Sequence, residues 1–546
     1  MQSWVQLRDM KAETWKKKRA YSDAELALAL AILEDLKAGV DLNVSQRDHP
    51  KPDGGGFIPK HALVAVYYQM VDSGQWEEDE ALLLKIRMKP TRTLSGVTTV
   101  TVLTDDQPCP GTCIFCPQET DLPKSYLSEE PGAKRALENA FDPYAQVSNR
   151  IKALRAVGHP TDKIELLILG GSFNAYPKTY QEWFVRRCFD AMNEVNPEDD
   201  PNFESLPEAQ ARNVHAQHRN VGLVVETRPD LIARADLAWF RYLGVTKVQM
   251  GAQSLDDHIL EINQRGHTTA ETLRAVTLLR AGGFKIVLHW MPNLLGATPK
   301  SDREDFKRLW EDSTYGPDEI KIYTCQLLEG TVLYDIWQQG GYQPYSEATL
   351  LDLIADLKTT VPRHCRINRI IRDIPSTYVV AGNKNTSLRQ DIQREMKRRN
   401  THCECIRCRE VRQQNVTAGT VTLHDLVYHP AHAEEHFLSF DTPDDKLAGF
   451  LRLSLPEDTT RTGITDLEDA AIIREVHVYG QSLEVGEARS GIAQHSGLGT
   501  NLIEEAEKIA LENGFKKLAV IAAVGTRAYY ADRGFSMGKY YMLKDL

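Results

Sequence analysis

Residues 96–116 read GVTTVTVLTDDQPCPGTCIFC, a β-branched run that ends in a loop carrying Cys109, Cys113 and Cys116. Valine and threonine suit a pleated, half-buried surface, so this stretch predicts a strand with three thiols on the loop at its C-terminal end. Outward from it, between about 90 and 330, the same pattern recurs. KIELLILGG, VGLVVET, VTKVQMG, FKIVLHWM and EIKIYTCQ alternate with amphipathic stretches such as YQEWFVRRCFDAM, LIARADLAWFRYLG and AETLRAVTLLRAGG. Repeated strand-then-helix order implies an α/β fold with a parallel sheet curved into a full or partial (β/α) barrel. Such a barrel gathers the loops after its strands at one mouth. The cysteine loop falls there, together with Gly170, Gly171 and Ser172 after the second strand, Glu226 ending the third, and Gln253 after the fourth.

The CxxxCxxC spacing has a chemical reading. Three thiolates close in sequence can fold around one 4Fe-4S cubane and leave one iron without a protein ligand. An open iron can chelate the amino and carboxylate groups of S-adenosylmethionine, and an electron from the cluster then breaks the sulfonium bond to release a carbon radical. A structural zinc knuckle is the competing reading, but it would normally supply a fourth ligand. Gly170, Gly171 and Ser172 suit close backbone approach to the methionine part of that cofactor. Glu226, Gln253 and Arg265 are expected contacts to its ribose, amine or carboxylate; each reads equally well as a salt-bridged loop residue.

A second site lies near the C-terminus. The strand AIIREVHVYG leads through a loop to Gln494, His495, Ser496, Gly497, Leu498, Gly499 and Thr500, which open the helix NLIEEAEKIALENG. Backbone amides at a helix N-terminus bind pyrophosphate. With the strand KLAVIAA and then TRAYYADRGF, the order resembles a GNAT acetyltransferase, whose loop holds the pyrophosphate of acetyl-CoA. Tyr529 and Tyr530 would lie near the thioester, where a phenol can hydrogen-bond the carbonyl or protonate a leaving thiolate. The segment QSLEVGEARSGIA, 481–493, is longer than a direct turn needs and reads as a gate.

A third group, THCECIRC, sets Cys403, Cys405 and Cys408 within six residues, a structural zinc pattern with His364, Cys365 or His402 as the fourth ligand. Cys188 and Cys325 read as small buried hydrophobes.

At 546 residues the chain should hold two to four domains. The expected division is a helical N-terminal module at 1–88, the barrel at 89–358, a basic cysteine-rich linker at 359–415 and the acetyltransferase unit at 416–546. No apolar run approaches a membrane span, and the N-terminus does not read as a secretory signal, so the expected compartment is the cytoplasm. The net charge of −11 excludes a uniformly basic surface, so a nucleic acid must meet local patches. Lys16, Lys17, Lys18 and Arg19 form one, and Lys89 and Arg92 belong to a second. Arg366 and Arg369 belong to a third, Arg398 and Arg399 to a fourth. A solvated helix face is the alternative for each.

Taken in order, KPTRTLSGV (89–97), FDPYAQ (141–146), LGGSFNAYP (169–177), VETRPD (225–230), GAQSL (251–255), QRGHT (264–268) and HWMPNL (289–294) resemble one family, as do IKIY (320–323), RDIPS (372–376), REVHVYG (474–480), QHSGLGT (494–500) and the YYxxxGF ending. It is the family of Elongator catalytic subunits, tRNA acetyltransferases that fuse a radical S-adenosylmethionine domain to a GNAT domain. The resemblance covers nearly the whole chain and points to a prokaryotic form. It implies a wobble uridine of tRNA as substrate, acetyl-CoA as donor and carboxymethyluridine as product. In that scheme the radical removes hydrogen from the acetyl methyl, the resulting carbon radical adds to uracil, and the thioester is hydrolysed. It implies a partner anticodon stem-loop held by the basic residues named above, an electron donor, and a monomer or homodimer without obligatory accessory subunits. A protein-lysine acetyltransferase with the cluster domain as scaffold, or a tRNA-binding module that senses the cofactors, are the competing functions.

Overall fold

The computed structural model describes residues 21–51, 54–93, 95–195, 205–311, 314–412, 414, 416–479 and 497–546. The chain starts, within these, with amphipathic helices. Asp23–Lys37 begins at a capping box, Ser22 and Glu25 satisfying each other's backbone N–H groups. Its apolar stripe, Ala29, Ile32, Leu33 and Leu36, packs with Leu63, Val66 and Tyr67 of the helix Lys60–Asp72 to make a small core of its own.

The central sheet is built from β1 (Thr98–Leu103), β2 (Lys163–Leu169), β3 (Arg219–Thr227), β4 (Lys247–Gln253), β5 (Lys285–Trp290) and β6 (Glu319–Ile322). After the short β7 (Leu327–Leu328) it is completed by β8 (Arg366–Arg369), while β7 pairs separately with β9 (Val379–Ala381). The strand order is β1-β2-β3-β4-β5-β6-β8 and every pairing is parallel. β1 and β8 do not pair, so the sheet is an open half-barrel, the partial form of the expected barrel. Side chains alternate across a strand; the outer set, such as Ile164, Leu166, Val248, Ile286 and Ile320, is buried under helices. The inner set is polar: Glu165, Glu226, Lys247, Gln249, Lys285, His289, Glu319 and Lys321 all face one cavity.

The C-terminal sheet comprises β10 (Thr422–Tyr428), β11 (Ala433–Asp441), β12 (Leu447–Pro456), β13 (Ala470–Val478), β14 (Lys517–Val520), β15 (Ser536–Met537) and β16 (Met542–Asp545), in the order β10-β11-β12-β13-β14-β16-β15. Only β13 and β14 run parallel. Their pairing stops at Ile473 and Val520 although β13 continues to Val478. The cause is a bulge in β13 at Arg474, where Arg452 faces Glu475 and Leu453 faces Ile473. A bulge bends its strand, and here it parts β13 from β14 into a wedge.

Arg474 also joins the two sheets. Its guanidinium meets Asp318, which precedes β6, and lies 2.7 Å from Glu435 on β11, all three fully buried. Arg280 sits 3.4 Å from Glu435, and Arg452 sits 3.4 Å from Asp318 while donating to the His364 carbonyl at 2.7 Å. Arg241 donates to the carbonyls of Ala522 and Tyr540, each at 3.0 Å. The C-terminal sheet is thereby fixed against the N-terminal ends of the barrel strands.

Burial pushes the Asp318 carboxyl up, but Arg474, Arg452 and Arg280 together outweigh it and hold the group well below the usual carboxylate range. A depressed carboxylate stabilises the fold above its unfolded value of about 3.9 and loses that contribution as pH falls through its folded value. Asp318→Asn, which leaves buried arginines unpaired, is therefore expected to cost about 3–5 kcal/mol at neutral pH. In urea unfolding, its deficit against the parent protein should shrink as pH is lowered below about 4.

Candidate functional site

One cavity of about 1110 Å³ reaches from the cysteine loop through the half-barrel to the wedge in the C-terminal sheet. Its upper end holds Cys109, Cys113 and Cys116, with Gly171, Ser172, Glu226, Gln253 and Arg265 on the same wall. Arg265 donates to the Cys113 sulfur at 3.0 Å, and Arg228, anchored by Asp230 at 3.0 Å, points at the same sulfur from 4.0 Å. Burial first, and the neighbouring Cys113 thiolate second, push the Cys116 thiol up to about 11. Three thiols on one loop, with guanidinium groups beside Cys113, suit the thiolate ligands of a cubane. The donor set therefore fits a 4Fe-4S cluster.

Gly170 has no room for a side chain. It sits at φ 142°, and a Cβ there would overlap the Thr104 hydroxyl at the end of β1, so the contact that excludes a side chain comes from the protein itself. Gly171 and Ser172 line the cavity.

The middle of the cavity is a layered set of charges. Glu226 accepts from Tyr126 at 2.6 Å and lies 3.6 Å from Lys321 and 4.0 Å from His289. Below it Lys247 bridges Glu165 at 2.5 Å and Glu319 at 3.4 Å, and Lys285 bridges Glu319 at 2.6 Å and Glu475 of β13. Apart from Glu226, these residues were not singled out from the sequence. The signal was present as polar residues on one face of otherwise apolar strands: Lys247 and Gln249 on β4, Lys285 and His289 on β5, Glu319 and Lys321 on β6. A packed barrel interior would carry aliphatic residues there.

The lower end is the wedge, lined by Glu475, Val476, His477 and Tyr479 on one side and Ala522, Ala523, Thr526 and Tyr530 on the other. Burial holds the His477 imidazole down to about 4, so it is neutral near pH 7. The helix Leu498–Glu512 begins beside this wedge at Gly497, which takes a left-handed conformation. The tyrosine pair divides between two places. Tyr530 is buried on the cavity wall, while Tyr529 lies against Gly499, where a Cβ would meet its hydroxyl at 2.6 Å. Arg533 stacks 3.6 Å over the Tyr529 ring and donates to Thr500 at 3.1 Å, which fixes the tyrosine at the helix start. Gln494, His495, Ser496 and the segment 481–493 lie outside the described residues.

Cys403, Cys405 and Cys408 converge, with Cys403 and Cys408 holding the Cys405 thiol well below its usual range through hydrogen bonds. Three thiols at that separation suit zinc. None of the three expected fourth ligands joins them within 4.8 Å. His364 stacks on Tyr428 at 3.9 Å, Cys365 is buried in the barrel core, and His402 is exposed beside Glu404. Lys358, fully buried, donates to Cys408 at 3.8 Å instead.

Of the basic residues, Lys89, Arg369 and Arg398 are exposed, the last two in surface pairs with Asp373 and Glu395. Arg366 is tied to Glu410 and donates to Tyr479, while Arg399 is held by Asp352, Asp356 and Glu395. Lys16, Lys17, Lys18, Arg19 and the side chain of Arg92 lie outside the described residues. No helix among the described residues is long and apolar enough to cross a membrane.

Residues 108–309 match the Radical SAM superfamily and residues 317–398 match the Radical_SAM C-terminal domain. The chain is 41% identical to the tRNA uridine(34) acetyltransferase of Dehalococcoides mccartyi (strain CBDB1), over 84% of this chain and 99% of that protein. It is 33% identical to Elongator complex protein 3 of Danio rerio, over 97% and 99%. The solved archaeal Methanocaldococcus infernus Elp3, lacking its N-terminal residues 1–46, superposes with a TM-score of 0.71 at 36% identity, covering 83% of this chain and 99% of that one.

Gly499→Ala forces Tyr529 away from the helix start, because the new methyl group would stand 2.6 Å from its hydroxyl. The displaced ring should register as a change in near-UV dichroism. Far-UV dichroism should not change.

Proposed function

The chain belongs to the family of tRNA uridine(34) acetyltransferases and Elongator complex protein 3, and from that premise we propose that it modifies the wobble uridine of tRNA, using acetyl-CoA to form carboxymethyluridine. The observation that carries this reading is the single cavity shared by Cys109, Cys113 and Cys116 at one end and Tyr530 at the other. A protein-lysine acetyltransferase would have no use for that connection.

In this reading Cys109, Cys113 and Cys116 hold a 4Fe-4S cluster, and Gly170, Gly171, Ser172, Glu226, Gln253 and Arg265 take S-adenosylmethionine. When bound, that pair supplies a carbon-centred radical. Arg228 and Arg265 offset the negative charge of the thiolates. The C-terminal sheet, with its parted β13 and β14, serves as a GNAT fold: the amides of Gly497, Leu498, Gly499 and Thr500 receive the pyrophosphate of acetyl-CoA, and the unpaired edge of β13 runs beside its pantetheine arm. Tyr530, whose phenol burial keeps protonated, can donate to the thioester carbonyl or to the departing thiolate. The anticodon stem-loop meets the exposed Lys89, Arg369 and Arg398 through its phosphates. Zinc at Cys403, Cys405 and Cys408 ties the segment after the barrel to its core. The boundaries 1–88, 89–358, 359–415 and 416–546 remain our division of the chain, acting in the cytoplasm as a monomer or homodimer with an external electron donor.

Anaerobically reconstituted protein, given tRNA, S-adenosylmethionine, reductant and acetyl-CoA labelled in the acetyl group, should place label in carboxymethyluridine on nuclease digestion. Label confined to lysine would overturn the assignment. Cys113→Ser should abolish the uridine label together with the visible absorbance of the cluster, because a hydroxyl is a poor substitute for a thiolate on iron.

A further inference from the structure

Gln253 ends β4 in a conformation that strands avoid. Its φ is 69°, in the left-handed region that residues other than glycine rarely occupy. The Ser254 N–H returns to the Ala252 carbonyl at 2.9 Å and closes a three-residue γ-turn on Gln253. With a positive φ at its centre, such a turn is rare and strained. The pairing of β4 with β5 slips between Met250 and Gln253 to admit it, and the Met291 N–H then donates to the Gln253 carbonyl at 2.8 Å. Backbone strain of this kind persists only where the surroundings over-determine it.

Those surroundings converge on Asp305, a buried residue of the helix Pro299–Lys307. Its carboxylate accepts from the Leu255 N–H at 2.8 Å, the Ser254 hydroxyl at 3.1 Å and the Trp290 indole N–H at 2.8 Å. Two of these donors lie directly after Gln253, and the third belongs to the β5 residue that pairs with it. One side chain thus holds the exit of the turn and its partner strand together. Asp302, one turn earlier on the same helix, accepts from the Asn293 N–H at 2.9 Å and the Tyr345 hydroxyl at 2.8 Å. It fixes the loop after β5 at Asn293, a residue outside the cavity wall.

What the turn presents is the Gln253 amide. It lines the cavity and packs against Gly251, where an added Cβ would stand 2.9 Å from its Nε2 and 3.2 Å from Arg265 Nη2. Arg265 donates to the Cys113 sulfur at 3.0 Å, so the amide is one guanidinium removed from the cysteine loop. Its Oε1 is buried and has no hydrogen-bond partner among the described residues. A buried acceptor left unpaired is costly, and a donor on a ligand would remove that cost. We propose that Asp305 is a positioning residue for the cofactor site: by clamping Ser254, Leu255 and Trp290 it holds Gln253 in its γ-turn, and so holds the Gln253 amide ready for a hydroxyl or amine of S-adenosylmethionine. Asp305 itself lies behind the cavity wall and acts through Gln253.

The inference rests on the proposed S-adenosylmethionine site. Its test is equilibrium binding of S-adenosylmethionine to full-length, anaerobically reconstituted protein, with iron content and far-UV dichroism reporting on the cluster and the fold. In Asp305→Asn one carboxylate oxygen becomes an NH2 group, which sets donor against donor at a position that now accepts. That variant is compared with Gln253→Ala, with the double variant, and with Asp302→Asn as a control from the same helix. Where Asp305→Asn does not fold, Ser254→Ala combined with Trp290→Phe removes two of the three donors and takes its place in every comparison.

Gln253→Ala is expected to weaken binding about tenfold, the effect of losing one or two hydrogen bonds, and Asp305→Asn about fivefold. The double variant should bind no more weakly than Gln253→Ala alone, because a residue that acts only through Gln253 then has nothing left to position. Asp302→Asn should change the affinity by less than about twofold. Losses that multiply in the double variant overturn the inference, since they would make Asp305 a support of the fold at large. So does parental affinity in folded, iron-replete Asp305→Asn, and so does an equal loss in Asp302→Asn. Parent protein that carries its cluster but binds no S-adenosylmethionine overturns the proposed cofactor site itself, an outcome distinct from these.

Discussion

The arrangement depends on Arg474 being buried with charge on two sides. It reaches Asp318 at the foot of the half-barrel and Glu435 in the C-terminal sheet, with none of the three exposed. Removing such ions from water is costly, and the cost is offset only if every charge is matched and the remaining hydrogen-bonding positions are filled. Arg280 and Arg452 supply the matching cations, and the backbone carbonyls of Phe284 and His364 accept hydrogen bonds from Arg474 and Arg452. Although several of its atoms, among them Arg474 Nε and Arg280 Nε, have no hydrogen-bond partner among the described residues, the charges are matched only at one relative placement of the two sheets. The bulge that delivers Arg474 to Asp318 is the one that ends the β13–β14 pairing, so the feature that docks the second sheet also opens its wedge toward the barrel.

A second consequence is that the barrel stays hollow. Its inner positions carry lysine and glutamate in alternation, Lys247 between Glu165 and Glu319 and Lys285 between Glu319 and Glu475. Paired charges are tolerated where lone ones would not be, and they do not collapse inward as leucine or isoleucine would. Glu475 belongs to β13, so the ladder of charges ends on the wall of the wedge. Opening between the two ends of the cavity is therefore maintained by the same kind of interaction that fixes the domains against one another.

Much of this was legible in the chain. The β-branched run before Cys109, the period of strands and helices to residue 330, and the Gly-rich helix start at 497–500 each rest on local chemistry, and local chemistry survives folding. The parallel half-barrel and the cysteine loop at its mouth follow from them. What was not legible depends on partners distant in sequence. That Thr104 leaves Gly170 no room for a side chain depends on a contact no local reading supplies. His364 reads as a metal ligand until Tyr428, more than sixty residues later, is found stacked on its ring. Lys358, which does approach Cys408, sits in a helix where a lysine draws no notice.

The basic runs make the same point about charge. Arg366, Arg369, Arg398 and Arg399 look equivalent in a sequence, since each sits among other arginines and lysines. In the fold, Arg399 is surrounded by Asp352, Asp356 and Glu395, and Arg366 by Glu410 and Tyr479. A guanidinium held by several carboxylates is already compensated, and a phosphate would have to displace those partners to reach it. Arg369 and Arg398 sit in single, solvent-screened pairs, which contribute little and exchange readily. A chain with net charge −11 can therefore offer a phosphate backbone a positive face only where acidic partners are few and screened. The number of arginines in a segment says less about that face than the number of carboxylates the fold brings to each one.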